Sequence, residues 1–176
     1  MNKLVAGKVR LILNFLTFQA GWFACVLGAA HGKPWLGPLV VTPIAAGWLL
    51  VAPRPQSLAK LLLICGVVGL FWDSALTAVG LIGYSSGWMT PPLAPLWILA
   101  LWILLATTLH LSMSWLQDKP LAAVALGAIA APLSYLAGAR LGALKLLHPE
   151  PALVAQAVGW ALLLPWLLGL ARRLNA

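Results

Sequence analysis

One acidic residue lies deep inside an apolar stretch of this 176-residue chain: Asp73, in Leu70-Phe71-Trp72-Asp73-Ser74-Ala75-Leu76. An ionised carboxylate at bilayer depth costs several kcal/mol, from about 2.5 upwards. It must therefore face protein, carry a proton or have a partner. Cys65, Gly69, Asp73 and Thr77 follow one another at four-residue spacing and form a small, polar stripe on one helix face. Gly66, Gly80 and Gly83 add positions of close approach. Such a face should meet another helix and not lipid. Arg140 is the natural partner, in Ser134-Tyr135-Leu136-Ala137-Gly138-Ala139-Arg140-Leu141-Gly142. At 1.5 Å per residue, Asp73 lies ~22 Å and Arg140 ~30 Å along their helices from the same side. Gly138 and Gly142 form a G-x-x-x-G pair that lets a neighbouring backbone come close. Two readings stay open. Asp73, Arg140, Thr77 and Tyr135 line a ligand-binding site in the outer half of a bundle. Alternatively, Asp73 and Arg140 form a structural clasp, or Arg140 snorkels to the interface.

Two further groups carry polar chemistry. Gln19 and Asn14 lie in Asn14-Phe15-Leu16-Thr17-Phe18-Gln19-Ala20-Gly21-Trp22, where a buried amide bridges helices or orients a headgroup. His110 shares a helix face with Thr107 and Ser114, near the opposite membrane face from Arg140. At that depth it is packed or interfacial and does not reach Asp73. Cys25 and Cys65 make no C-x-x-C and read as packing residues. No three ligands converge at metal spacing, so neither a metal nor a cofactor is expected. There is no phosphate-cradling glycine loop, no nucleophile elbow and no pair of carboxylates.

The elements that must position these residues are membrane helices. The chain is 62% hydrophobic and 8% charged, where a soluble domain carries about 25% charged residues. Six apolar runs, near 11–30, 35–52, 58–84, 92–116, 120–146 and 151–171, predict an all-α, polytopic transmembrane bundle forming a single integral membrane domain. Short connections rich in proline and glycine separate them and imply sequential antiparallel helices. Lys3, Lys8, Arg10, Arg54, Lys60, Lys119, Arg172 and Arg173 fall on one side of these runs, and Lys33, Arg140 and Lys145 on the other. This excess predicts that both termini are cytoplasmic. The net charge of +8 sits in short connections, which suits contact with anionic headgroups and excludes nucleic acid, for which no broad basic surface exists. The basic start of the first run resembles a signal peptide, but Asn14, Gln19 and Trp22 interrupt its core, so an uncleaved helix is expected. Pro43, Pro132 and Pro165 interrupt three helices, and such kinks can open a cavity. The two halves share no alignable motif.

Several stretches also resemble a family of uncharacterised small bacterial inner-membrane proteins, one of the domains of unknown function. They are Asn14-Phe15-Leu16 with Phe18-Gln19-Ala20-Gly21-Trp22-Phe23-Ala24-Cys25-Val26-Leu27-Gly28-Ala29, Pro95-Leu96-Trp97 through Thr107-Thr108-Leu109, Gly127 through Gly142, and Gly159-Trp160-Ala161-Leu162-Leu163-Leu164-Pro165. The resemblance implies a multi-pass protein of the bacterial inner membrane, encoded beside lipid-modifying enzymes, and assigns no residue a role. Trp88-Met89-Thr90-Pro91-Pro92 and Leu163-Leu164-Pro165-Trp166 bear a looser likeness to the tryptophan-rich translocator proteins. That family has five helices and a different motif order, and it is set aside. Three functions fit the residues. The first is binding or transport of a lipid or small apolar molecule at Asp73, Arg140 and Gln19. The second is a non-catalytic accessory or scaffold subunit of a lipid-modifying system, with a membrane-protein partner or a second copy of itself. The third, ranked last, is an intramembrane lipid-modifying enzyme using Asp73 or His110 as acid or base.

Overall fold

The computed structural model of the chain describes residues 3–175, with side chains from Gly7 onward. It contains six helices: α1 (Lys3–Ala30), α2 (Leu36–Leu50), α3 (Pro55–Ala78), α4 (Leu96–Leu109), α5 (Pro120–Arg140) and α6 (Pro149–Asn175). Four of them, α1, α3, α5 and α6, are long and apolar enough to cross a membrane. α3 and α5 each open with a proline in the first turn, where the missing N–H has no partner to lose. Leu63, Phe71, Leu121, Ile129 and Leu162 point outward from these helices. Such an apolar exterior needs a lipid solvent.

The core forms around the short helix α4. Its 14 residues rise only ~21 Å. Yet Trp97, Ile98, Trp102, Leu104 and Leu109 are buried, and α1, α2, α3 and α6 all touch it. The chain reaches the two faces of the bundle through non-helical segments: Thr90–Pro95 before α4, and turns with a 3-10 turn (Ser114–Leu116) after it. Thr90–Leu93, Ser114 and Trp115 in these segments are exposed, while Ala94, Pro95 and Leu116 are buried and anchor them to the bundle.

Three expected helix bounds are corrected. The third helix stops at Ala78 and not at Tyr84, the fifth at Arg140 and not at Leu146, and the fourth spans Leu96–Leu109 and not 92–116. The first two share one cause. Gly80 (φ 74°) and Gly142 (φ 89°) take the left-handed conformation. Leu81 N–H then donates to Leu76 O and Gly80 N–H to Thr77 O. Ala143 and Gly142 repeat both bonds on Gly138 and Ala139. This double bonding ends a helix by satisfying its last carbonyls. Each cap releases the chain into a three-residue strand. β1 (Ile82–Tyr84) pairs antiparallel with β2 (Leu144–Leu146) in the register Ile82↔Leu146, Gly83↔Lys145, Tyr84↔Leu144. Alternation along β1 sends Ile82 and Tyr84 inward. The ribbon ties the ends of α3 and α5 together and roofs the bundle.

At the opposite end, Arg10 Nη2 donates to Val51 O (2.9 Å), Arg172 pairs with Asp118 (2.6 Å) and Asn175 meets His110 (2.7 Å). The start of α1 and the ends of α2, α4 and α6 therefore lie on one face. Arg54, Lys60 and Lys119 join it, leaving Lys33, Arg140 and Lys145 on the ribbon face.

Candidate functional site

Asp73 is completely buried on α3, one turn beyond Gly69. Three donors from three other elements converge on its carboxylate. The Tyr84 hydroxyl from β1 reaches Oδ1 at 2.6 Å, the Tyr135 hydroxyl from α5 reaches the same oxygen, and Trp102 Nε1 from α4 reaches Oδ2 at 2.7 Å. Hydrogen bonds to a charged acceptor are shorter and about twice as strong as neutral ones. Three such donors replace the water that the carboxylate lost. Local sequence permits each approach. Gly69 has no Cβ where the Trp102 indole lies, so the ring rests on the α3 backbone. Tyr84 arrives because the Gly80 cap turns the chain into β1, and it is held edge-on to Trp97 at 5.5 Å.

Arg140 is not the partner of Asp73. It is the last residue of α5, exposed on the ribbon face, and the one ion pair among the described residues joins Arg172 to Asp118. The clasp is not formed: Tyr84, Tyr135 and Trp102 take up the Asp73 carboxylate, and the exposed Arg140 side chain sits at the ribbon face, as the snorkelling alternative has it. Thr77 lies beside the site, but its hydroxyl donates to the Asp73 backbone carbonyl (3.0 Å), one turn back on its own helix. Tyr135 is the expected residue that the fold does bring to Asp73. Gln19 is half-buried on α1 and stands apart from the carboxylate. His110 lies near the far face, as its position in the sequence implies. Asn14 is the buried amide that bridges helices. Its Nδ2 donates to Thr107 O (3.2 Å), and its Oδ1 accepts from Ser112 Oγ (2.7 Å).

Tyr135 and Trp102 also form part of the wall of a cleft of about 390 Å³. The volume falls within the range of ~300–1,000 Å³ typical of small-molecule sites. Phe15, Phe18 and Trp22 of α1 face Leu126, Ala130 and Ser134 of α5 across it, with α4 as its floor. Phe15 and Leu126 are exposed at its edge, so the cleft opens sideways between α1 and α5. Trp22 Nε1 donates to Ser134 Oγ (3.1 Å), a single polar tie across the gap. Trp160 of α6 stacks on Trp102 at 4.7 Å, and its buried Nε1 has no partner. Gly127 has no Cβ where the Trp160 carbonyl approaches, so α5 and α6 close tightly behind the cleft.

Sequence reasoning missed Tyr84, Trp102, Trp160 and Gln156. Gln156 is fully buried on α6 and accepts from Trp72 Nε1 at 3.3 Å, against Gly159. The available signal was the pairing of a deep tryptophan with a glycine on the facing helix: Trp102 with Gly69, Trp72 with Gly159. Among the described residues, no group of His, Cys, Asp and Glu is placed to hold a metal.

No curated protein and no solved structure matches the chain significantly. A family described as a protein of unknown function, DUF2878, matches residues 11–166, which covers α2 to α5, most of α1 and α6, and every residue of the Asp73 site. The chain is a membrane-spanning helical member of the DUF2878 family.

Proposed function

We propose that this protein binds an apolar molecule, a lipid acyl chain or a compound of similar shape, in the cleft between α1 and α5. The observation that carries the reading is the cleft itself. It is about 390 Å³, lined by aromatic and aliphatic side chains, and open toward the side that the lipid-facing residues identify as bilayer. A ligand could enter from the membrane without crossing water. Trp160 is part of the wall, and its buried, unpartnered N–H would meet a ligand oxygen only if the ring shifts to expose it.

Asp73 serves this site from behind. Both its oxygens are engaged and none of its surface is open. It therefore fixes Tyr135 and Trp102 as walls, a role that suits binding better than direct acid–base chemistry. The bacterial inner membrane, with both termini cytoplasmic, is the setting that the charge distribution favours.

The test is extraction in a mild neutral detergent followed by mass spectrometry of co-purifying lipids and other apolar molecules. Wild type should retain one class of molecule in near-stoichiometric amount. Ala130→Trp, which adds a ring at the exposed lip of the cleft, should lose it while keeping its thermal stability. Equal retention by both proteins would reject the cleft as the site.

A further inference from the structure

A second cavity, of about 290 Å³, lies at the basic face on the other side of α1 and α4 from the cleft. Arg10, Arg54, His110, Trp48, Thr107 and Asn175 line it. Ala52, Pro53, Leu58 and Leu111 complete its wall, so it too is mostly apolar, but unlike the cleft it carries basic groups. Two guanidinium-bearing residues from separate elements border it, and no Asp or Glu side chain does. The three acids of the chain are placed elsewhere: Asp73 in its own site, Asp118 against Arg172, and Glu150 at the start of α6 on the ribbon face.

The remaining donors point the same way. Arg10 spends one nitrogen on Val51 O, which leaves most of its five N–H donors for another acceptor. Asn175 Nδ2 lies 2.7 Å from His110 Nδ1. An amide N–H donating to Nδ1 puts the neutral imidazole's proton on Nε2. That Nε2 is buried and has no partner. Trp48 Nε1 is already committed to Thr17 Oγ1 (3.1 Å), so the tryptophan contributes shape and not a donor. Thus two arginines and a histidine with an unpartnered ring nitrogen border a cavity at the basic face of the bundle.

We infer that this cavity binds a phosphate group, with Arg10, Arg54 and His110 Nε2 as its donors. Arginine's planar fork matches phosphate oxygens, and basic pockets between helices at a membrane face commonly take lipid headgroups. The group can belong to a membrane phospholipid or to a soluble phosphate compound. This site is independent of the cleft, and the failure of either leaves the other standing.

The experiment measures thermal stability of the purified protein in neutral detergent against increasing phosphatidylglycerol in mixed micelles, inorganic phosphate, or uncharged diacylglycerol. A saturable rise in Tm with phosphatidylglycerol alone identifies a lipid headgroup, and one with inorganic phosphate identifies a soluble ligand. Diacylglycerol should have no effect. Arg54→Gln should weaken the response about tenfold, the loss expected for a charge-assisted hydrogen bond. Arg173→Gln removes an equal charge from the same face, outside the cavity, and should leave the response intact. Arg10→Gln also loses its bond to Val51, so its reading is the ligand-induced shift relative to its own baseline. The proposal is overturned if no phosphate probe gives a saturable shift, or if Arg173→Gln weakens the shift as much as Arg54→Gln.

Discussion

Asp73 and Tyr135 are joined by a hydrogen bond between α3 and α5, and each stands seven residues before the left-handed glycine that closes its helix, Gly80 or Gly142. The two helix ends share a cap design, and β1 and β2 then pair about Gly83 and Lys145. The same local geometry therefore places an acceptor on one helix and a donor on the other at matching depth. Tyr135→Phe keeps the ring in the cleft wall and deletes only the hydroxyl. It should cost about 1.5–3 kcal/mol, as expected for a hydrogen bond to a charged group. Asp73→Asn leaves an amide NH₂ or an empty position opposite a donor and should cost a similar amount. Thermal unfolding of both variants and the double variant should give non-additive losses, because each removes the same bond. Strict additivity would dissolve the coupling.

The Trp102 bond to Asp73 rests on the missing side chain of Gly69. A Cβ there would overlap the indole ring, which has no flexible end to yield. Overpacking of this kind costs about 1–3 kcal/mol. Gly69→Ala should therefore lower the thermal stability of the protein by that amount. Gly47, inside α2, has open space around it, and Gly47→Ala should be neutral or stabilising by up to about 1 kcal/mol. Equal effects at the two glycines would remove the close-packing account of Gly69.

Much of this was legible in the chain, and what escaped did so for a physical reason. Long apolar runs and proline-rich connections dictate six helices, because backbone in lipid must satisfy its own hydrogen bonds. Asp73 identified itself by the cost of burying it. The ends of α3 and α5 escaped because apolar residues continue through Leu81–Tyr84 and, on both sides of Lys145, through Leu141–Leu147, while Gly80 and Gly142 break the helix. That error hid Tyr84, which reaches Asp73 only from a strand. Arg140 lies on the side that the charge pattern gave it, at the exposed end of α5, and only its pairing with Asp73 fails. Trp102 and Trp160 were invisible as partners because an apolar run gives tryptophan no direction, and their roles depend on which glycine faces them.

The uneven basic residues predict which face is cytoplasmic. His31→Cys lies in the turn after α1 on the ribbon face, and Gln56→Cys in the first turn of α3 on the opposite face. Both positions are exposed, and neither substitution alters the Lys and Arg count. Native Cys25 and Cys65 are fully buried and should stay silent. A membrane-impermeant maleimide added to intact cells should label His31→Cys and spare Gln56→Cys until the membrane is opened. The reverse pattern would invert the topology and move the phosphate cavity to the outer face.

The tie between Trp22 and Ser134 gives the cleft a kinetic prediction. α1 packs on α2 and α4, α5 packs on α6, and α1 and α5 meet each other across the opening through this hydrogen bond. Ser134→Ala deletes the acceptor without changing the apolar wall. A hydrogen bond of this kind contributes about 0.5–1.5 kcal/mol, so global stability should fall only slightly. The lip should open more often, and a fluorescent fatty acid loaded into the cleft should leave about two- to tenfold faster, since most affinity changes appear in the off-rate. Trp22→Phe removes the donor and part of the wall, so it should combine fast release with weaker binding. If release from Ser134→Ala matches wild type while Trp22→Phe is fast, Trp22 acts as wall alone, and the cleft exchanges its ligand without this tie opening.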